Sequence, residues 1–479
     1  MTGRVSAVRL RALLDVDAVD RPGYRDIAER VRLLVIDGRL PSGTQLPSER
    51  DLTTALPVSR TTVTRAYAEL REAGLLVSRR GSGSVVTLAH DAGASGMLAP
   101  ADAGPGAIGW TVAASAAAPG VGLAYAQAAA ALPAYLHQSG YVMTGVPALR
   151  EALAARYTER GLPTDATQIM VTGGAVAALG LIARTLAVRG ERVLCESPTY
   201  PNAIESVRRS GLRPVAVPLD EDCWHLPSFE ATLRQATPRL AYLIPDFHNP
   251  TGALMDAATR DALGAALTRA RTTPVIDETM VELVLDGDDD AMPPPFAASA
   301  PDAITIGSAS KSFWGGIRIG WVRASHDMVR LLVDTRHSAD LGSPVFEQLV
   351  LVELLARRAE VLAEHRAALR RQRDELATLV TDRLPGWQFT VPPGGLSLWA
   401  QLPARVSSTL VIAAAREGLI LTAGPRFFVG AGGERHLRLP FAREHDDLAE
   451  AVTRLARAYQ RCRDRTDPPS TAAMHALTA

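Results

Sequence analysis

Lysine is almost missing from this 479-residue chain: of its 51 basic side chains every one except Lys311 is arginine, where an ordinary composition of this length holds roughly two or three dozen lysines. The Ala-rich, Asn-poor usage points to a coding bias that writes Arg wherever only a positive charge is needed. A position that keeps lysine then needs a primary amine, which can lose its proton or form an imine as a guanidinium cannot. The plain alternative for Lys311 is a surface lysine retained by chance. Cysteine is scarce too. Cys195, Cys223 and Cys462 lie far apart with no CxxC spacing, which argues against a disulfide framework and a zinc site. No apolar run approaches a membrane span, and Met1 to Leu14 carries three arginines without an apolar signal core, so a soluble, cytoplasmic protein is expected. A net charge of zero excludes a chain that is polybasic or acidic throughout. With 47% apolar and 21% charged residues most of the chain should fold, and its length calls for two or three domains.

Residues 1–88 read as one small domain, 89–107 as a flexible linker of Ala, Gly, Ser and Pro with almost no large apolar side chain, 108–463 as a large α/β domain, and 464–479 as a disordered tail. In the large domain, apolar runs at Ile169–Thr172, Arg192–Cys195, Leu240–Ile244, Pro274–Ile276 and Ala303–Ile306 alternate with helical patterns, as in a mostly parallel sheet. A smaller lobe is expected after the charged helix around Arg357 to Thr381. The acidic run Asp286 to Asp290 reads as a solvated loop, since no His or Glu stands at metal-ligand spacing around it.

In the small domain, Tyr24 to Asp37 has helical apolar spacing. Ser48 and Ser59 are placed to cap two further helices that meet at a turn. The second of these turns Val63, Ala66, Tyr67 and Leu70 inward, which leaves Arg60, Thr61, Thr62, Thr64 and Arg65 for solvent at its N-terminal end. Such a helix suits a major groove, with guanidinium and hydroxyl groups for phosphates and base edges. Arg79-Arg80-Gly81-Ser82-Gly83-Ser84 then reads as the tip of a β-hairpin. Across Met1 to His90 there are 14 Arg against 10 acids, a modest excess concentrated where a groove would need it. A solvated helix pair with no nucleic acid is the alternative. The string from Tyr24 to Val86 resembles the winged helix-turn-helix domain of the GntR family, with Leu46-Pro47-Ser48-Glu49-Arg50, Ser59-Arg60-Thr61-Thr62-Val63 and Arg80-Gly81-Ser82-Gly83-Ser84. The resemblance implies contacts to double-stranded DNA from Arg50, Arg60, Thr61, Thr62, Thr64, Ser82 and Gly83. Pro57 departs from the family's usual Gly.

Around Lys311 stands Gly307-Ser308-Ala309-Ser310-Lys311-Ser312-Phe313-Trp314-Gly315-Gly316-Ile317-Arg318. An imine-forming amine among hydroxyls, with a glycine-rich turn and an arginine, suits a phosphorylated aldehyde. Gly173-Gly174-Ala175, between a strand and a helix, offers backbone N–H groups to an anion. Asp277 follows an apolar strand and could keep a pyridine nitrogen protonated; a helix cap or surface acid is its alternative. Asn249, in a tight turn, could donate to a ring oxygen, and Tyr200 offers a flat face for stacking.

In order and spacing, Gly-Gly, Pro-Thr-Tyr, Asn-Pro-Thr-Gly, Asp, Ser-x-Ser-Lys and Gly-x-Arg-x-Gly resemble fold-type I pyridoxal-phosphate enzymes of the aminotransferase family. That resemblance implies that Lys311 binds pyridoxal 5′-phosphate as an internal aldimine, with Asp277 on the pyridine nitrogen, Asn249 on the phenolic oxygen and Tyr200 on the ring face. Ser308, Ser310, Arg318 and the Gly174-Ala175 backbone would hold the phosphate, and Arg438 a ligand carboxylate. Met280 departs from it, standing where the family usually has a tyrosine; so do Val176 and Ala177, at positions often glutamine. Both halves in this order resemble the MocR subfamily of GntR regulators, with the N-terminal stretch and residues 277–280 nearest its YczR-like branch. The resemblance implies a homodimeric regulator that reads an amine or amino-acid effector. A working aminotransferase with an appended DNA-binding domain is the alternative.

Overall fold

The computed structural model describes residues 4–14, 22–36, 40, 44–72, 75–79, 83–86, 106–219 and 224–466. It divides into two compact units, Met1–Ala94 with Ala117–Ala130, and Ser95–Ala116 with Ala131–Ala479. Of the expected linker only 106–107 are described, and residues 80–82 of the hairpin tip, Ser82 among them, lie outside the described residues.

In the first unit α1 (Ala7–Leu14), α2 (Tyr24–Ile36), α3 (Glu49–Ala55) and α4 (Arg60–Glu72) precede an antiparallel hairpin of β1 (Leu76–Arg79) and β2 (Gly83–Val86). The apolar periodicity of α2 buries Ile27, Val31, Leu34 and Val35, and that of α4 buries Val63, Ala66, Tyr67 and Leu70 in the same core. Both caps form. Ser48 Oγ accepts the Asp51 N–H at 3.1 Å, and Ser59 Oγ that of Thr62 at 3.1 Å. Tyr67 is fully buried and donates its hydroxyl to the Pro47 carbonyl at 3.0 Å, which ties α4 to the segment leading into α3. α1 is an element the apolar pattern had not marked.

The second unit begins with β3 (Ile108–Gly109) and then builds a seven-stranded sheet from β4 (Ile169–Thr172), β5 (Arg192–Ser197), β6 (Arg213–Pro218), β7 (Leu240–Leu243), β8 (Thr273–Asp277), β9 (Ile304–Ser308) and β10 (Gly320–Arg323). Strand order is β4-β10-β9-β8-β7-β5-β6, and only β10 runs antiparallel to its neighbours. Two strands were not foreseen. β6 carries Pro214 and Pro218, which a strand tolerates at a sheet edge, where β6 lies. β10 is four residues long and follows the glycine-rich turn directly.

The smaller lobe packs the helices Arg358–Arg383, Ser407–Arg416 and His445–Thr466 around β11 (Ser397–Gln401), β12 (Leu419–Ile420) and β13 (His436–Pro440). It also takes in the start of the unit: β3 pairs with β12, and the fully buried Trp110 donates its indole N–H to the Pro440 carbonyl at 2.6 Å. The lobe is therefore built from both ends of the unit rather than from its C-terminal part alone. Its last helix reaches Thr466, past the expected start of the tail at 464; 467–479 lie outside the described residues. The acidic run is not simply solvated. Asp286 pairs with Arg373 at 2.5 Å and Asp289 with Arg366 at 2.6 Å and Arg358 at 3.3 Å, which ties this loop to the long helix.

Candidate cofactor site and nucleic-acid interface

Because β4, β5, β7, β8 and β9 run the same way, their C-terminal ends open on one edge of the sheet, the usual place for a ligand in an open α/β sheet. The loops after these ends line a cavity with Ala175, Tyr200, Asn249, Asp277, Ser308, Ser310, Lys311 and Arg318, joined by Tyr242, Thr279 and Met280. Eight of the sequence-predicted positions thus meet at one cavity. Gly174 and Arg438 border it: Gly174 abuts Arg318, and Arg438 reaches Asn249.

At the β4 end, Gly174 precedes the helix Ala175–Leu186 with φ +109°, a conformation that a side chain resists. A Cβ there would stand 3.0 Å from Nη2 of Arg318, so glycine lets the guanidinium close on the helix N-terminus. Gly320 presses on the same turn, since its Cβ would come within 2.6 Å of the Gly174 carbonyl carbon. Ser308 caps the short helix that carries Lys311 by accepting the Ser310 N–H at 3.2 Å. Ser310 Oγ itself is buried with no hydrogen-bond partner among the described residues. An arginine, a helix N-terminus and an orphaned hydroxyl on one cavity wall fit a phosphate.

Lys311 donates Nζ to the Ala113 carbonyl at 2.7 Å. Burial and the nearby Arg438 and Arg318 lower its amine from 10.5 to about 8, against the pull of Asp277. Asp277, at the end of β8, accepts the Tyr242 hydroxyl at 2.5 Å and the Thr279 N–H at 3.0 Å. Burial pushes its carboxyl up, and those hydrogen bonds oppose the shift. Asn249 Oδ1 accepts Arg438 Nη1 at 3.2 Å, which leaves its amide nitrogen as the donor for a ring oxygen. Tyr200 is half-buried on the cavity wall, its hydroxyl held by Asn202 Nδ2 at 2.9 Å. Arg438 is buried on β13, donates Nη2 to the Thr111 carbonyl at 2.5 Å, lies 4.9 Å over the Phe427 ring, and keeps a buried Nε without a partner among the described residues. A second orphaned donor therefore flanks the cavity where a carboxylate could be taken. Of the residues that depart from the family pattern, Met280, which is buried, and Val176, which is exposed, line this cavity, while Ala177 does not.

Sequence reasoning missed Tyr242, Thr279 and the carbonyls of Thr111 and Ala113. Tyr242 left one clue, a tyrosine inside an apolar strand whose hydroxyl needs a buried partner. A backbone carbonyl from nearly 200 positions away leaves none.

On the first unit, Arg50, Arg60, Thr61 and Thr64 are exposed and Thr62 is half-buried against Ser59. Thr64 donates its hydroxyl to Glu49 at 2.7 Å, and Arg65 lies 5.2 Å over the Tyr24 ring. Gly83 opens β2 with φ +71°. The exposed first turn of α4 thus carries the Arg60 guanidinium and the Thr61 and Thr62 hydroxyls at a helix N-terminus.

Residues 125–455 match the aminotransferase class I and II family, and residues 23–86 match the bacterial regulatory proteins of the gntR family. The 2-aminoadipate transaminase of Thermus thermophilus is 32% identical over 299 residues, 61% of this chain and 75% of that protein. The HTH-type transcriptional regulator YdfD of Bacillus subtilis is 26% identical over 469 residues, 91% of this chain and 95% of that protein. Among solved structures, the α-aminoadipate aminotransferase LysN of Thermus thermophilus, complexed with N-(5′-phosphopyridoxyl)-L-leucine, superposes with a TM-score of 0.67 at 30% identity, covering 74% of this chain and 92% of that one. Among the described residues no helix is long and apolar enough to cross a membrane.

Proposed function

The chain belongs to the aminotransferase class I and II family and carries a gntR-family region ahead of it, and we propose that it is a DNA-binding transcriptional regulator of the MocR type whose aminotransferase-like domain senses pyridoxal 5′-phosphate, or an amine or amino-acid ligand, through Lys311. The cofactor follows from the family. Its use as a signal is the proposed part. The observation that carries the reading is the convergence of the chain's sole lysine, its amine lowered to about 8, on a cavity that Asp277 and Arg318 also line.

When bound, pyridoxal 5′-phosphate supplies an aldehyde that condenses with amines and a ring that withdraws electrons. The chain's part is to bind and orient it. Lys311 would be the attachment point, Asp277 would pair with the ring nitrogen, Asn249 with the phenolic oxygen and Tyr200 with the ring face, while Ser308, Ser310, Arg318 and the Gly174-Ala175 backbone would hold the phosphate. Arg438 offers its unpartnered Nε to the carboxylate of an amino-acid ligand. For DNA the same reading uses Arg50, Arg60, Thr61, Thr62, Thr64, Ser82 and Gly83. Its domain plan is 1–88 for DNA, 89–107 as linker, 108–463 for the cofactor and 464–479 as tail. A homodimer is part of the proposal.

Reduction with borohydride should fix labelled pyridoxal 5′-phosphate to the wild type and not to Lys311→Ala, read by intact mass. Equal labelling of both refutes the assignment. A second reading, a working transaminase, is favoured by the relative of that name and by Arg438 standing beside the cavity. Sustained consumption of an amino donor with a 2-oxo acid acceptor supports it; cofactor binding without turnover supports the sensor.

A further inference from the structure

We infer that Tyr242 is a positioning residue for the cofactor's ring nitrogen: its hydroxyl, 2.5 Å from Oδ2 of Asp277, orients that carboxylate and favours its charged form. This rests on the cofactor reading given above. Tyr242 lies inside β7, next to β8, whose last residue is Asp277, and its side chain is 1% exposed. Burial and the neighbouring Asp277 raise its phenol well above the ordinary value, so the proton stays on Tyr242 and the group acts only as a donor. Asp277 accepts the phenol on Oδ2 and the Thr279 N–H at 3.0 Å on Oδ1, with the Thr279 side chain as a further donor. Donors on both oxygens fix the plane of the carboxylate.

A carboxylate buried this deeply would by itself tend to be neutral. The Tyr242 hydrogen bond opposes this, together with those from Thr279 and the charge on Lys311. A neutral Asp277 could still touch a ring nitrogen, but the proton would sit on the acid and the ring would lose its positive charge. Tyr242 therefore decides on which side of the Asp277–ring contact the proton rests, although it need not touch the cofactor. Tyr242 also lines the same cavity as Asp277 and Thr279.

The full-length protein is loaded with pyridoxal 5′-phosphate labelled with 15N in the ring. In the wild type the ring resonance should lie at the protonated end of its range. Tyr242→Phe, nearly isosteric, should move it toward the unprotonated end and weaken cofactor binding about ten-fold, the loss of one hydrogen bond to a charged group. A merely structural role predicts a lower melting temperature with the resonance unmoved, and that result overturns the inference. Should Tyr242→Phe fail to fold, a fluorinated tyrosine placed at 242 donates more strongly and should slow cofactor dissociation; an unchanged rate equally overturns it. If the wild type takes up no cofactor, the cofactor reading falls instead, so the two failures are distinct.

Discussion

An amine at about 8 rather than 10.5 changes how fast Lys311 can react. At about pH 7.5 roughly a quarter of such an amine is neutral, against about 0.1% of an ordinary lysine, a gain of ~200-fold in the nucleophilic form. Stopped-flow absorbance of pyridoxal 5′-phosphate attaching to the cofactor-free protein should therefore rise with pH and level off above an apparent pKa near 8. Arg438 is the charged neighbour that lowers the amine most. Arg438→Leu should move that midpoint upward and slow attachment at neutral pH, whereas Asp277→Asn removes an opposing negative charge and should move it downward. The same shift enters stability. The folded value lies below the free one, so between about pH 8 and 10.5 the unfolded chain holds a proton that the folded chain lacks, and the cofactor-free protein should gain stability as pH rises through that window. An attachment midpoint near 10.5, unmoved in both variants, would refute the claim that the cavity tunes this lysine.

Met280→Tyr should tighten cofactor binding by restoring a hydroxyl on the cavity wall, read as a slower dissociation rate. Arg60→Ala, at the exposed first turn of α4, should weaken DNA binding on all sequences and reduce the salt slope by about one ion if it contacts phosphate. Arg260→Leu leaves the fully buried Asp246 without its 2.7 Å partner and should cost about 3–5 kcal/mol in urea unfolding.

Much of the site was legible because its residues sit at the ends of strands with strong apolar signals: Asp277 after Pro274-Val275-Ile276 and Ser308 after Ile304-Thr305-Ile306. The lone lysine stood out by composition before any motif was considered. What stayed hidden depends on the third dimension. β6 carries prolines that read as a break until its edge position is known. The lobe core that unites Trp110 with Leu437 and Leu439 joins segments over 300 positions apart. Asp286 and Asp289 read as solvated because the arginines that hold them lie on the Arg358–Arg383 helix, whose outward face could have turned elsewhere.

The central claim is that cofactor occupancy at Lys311 is communicated to DNA. Fluorescence anisotropy of the full-length protein on labelled DNA from its own upstream intergenic region, at fixed salt with scrambled competitor, tests it with and without pyridoxal 5′-phosphate. Selective binding should change in affinity at least about five-fold with the cofactor, the lower end of ordinary allosteric coupling, with no such change in Lys311→Ala. Selective binding of equal strength in both conditions would contradict it.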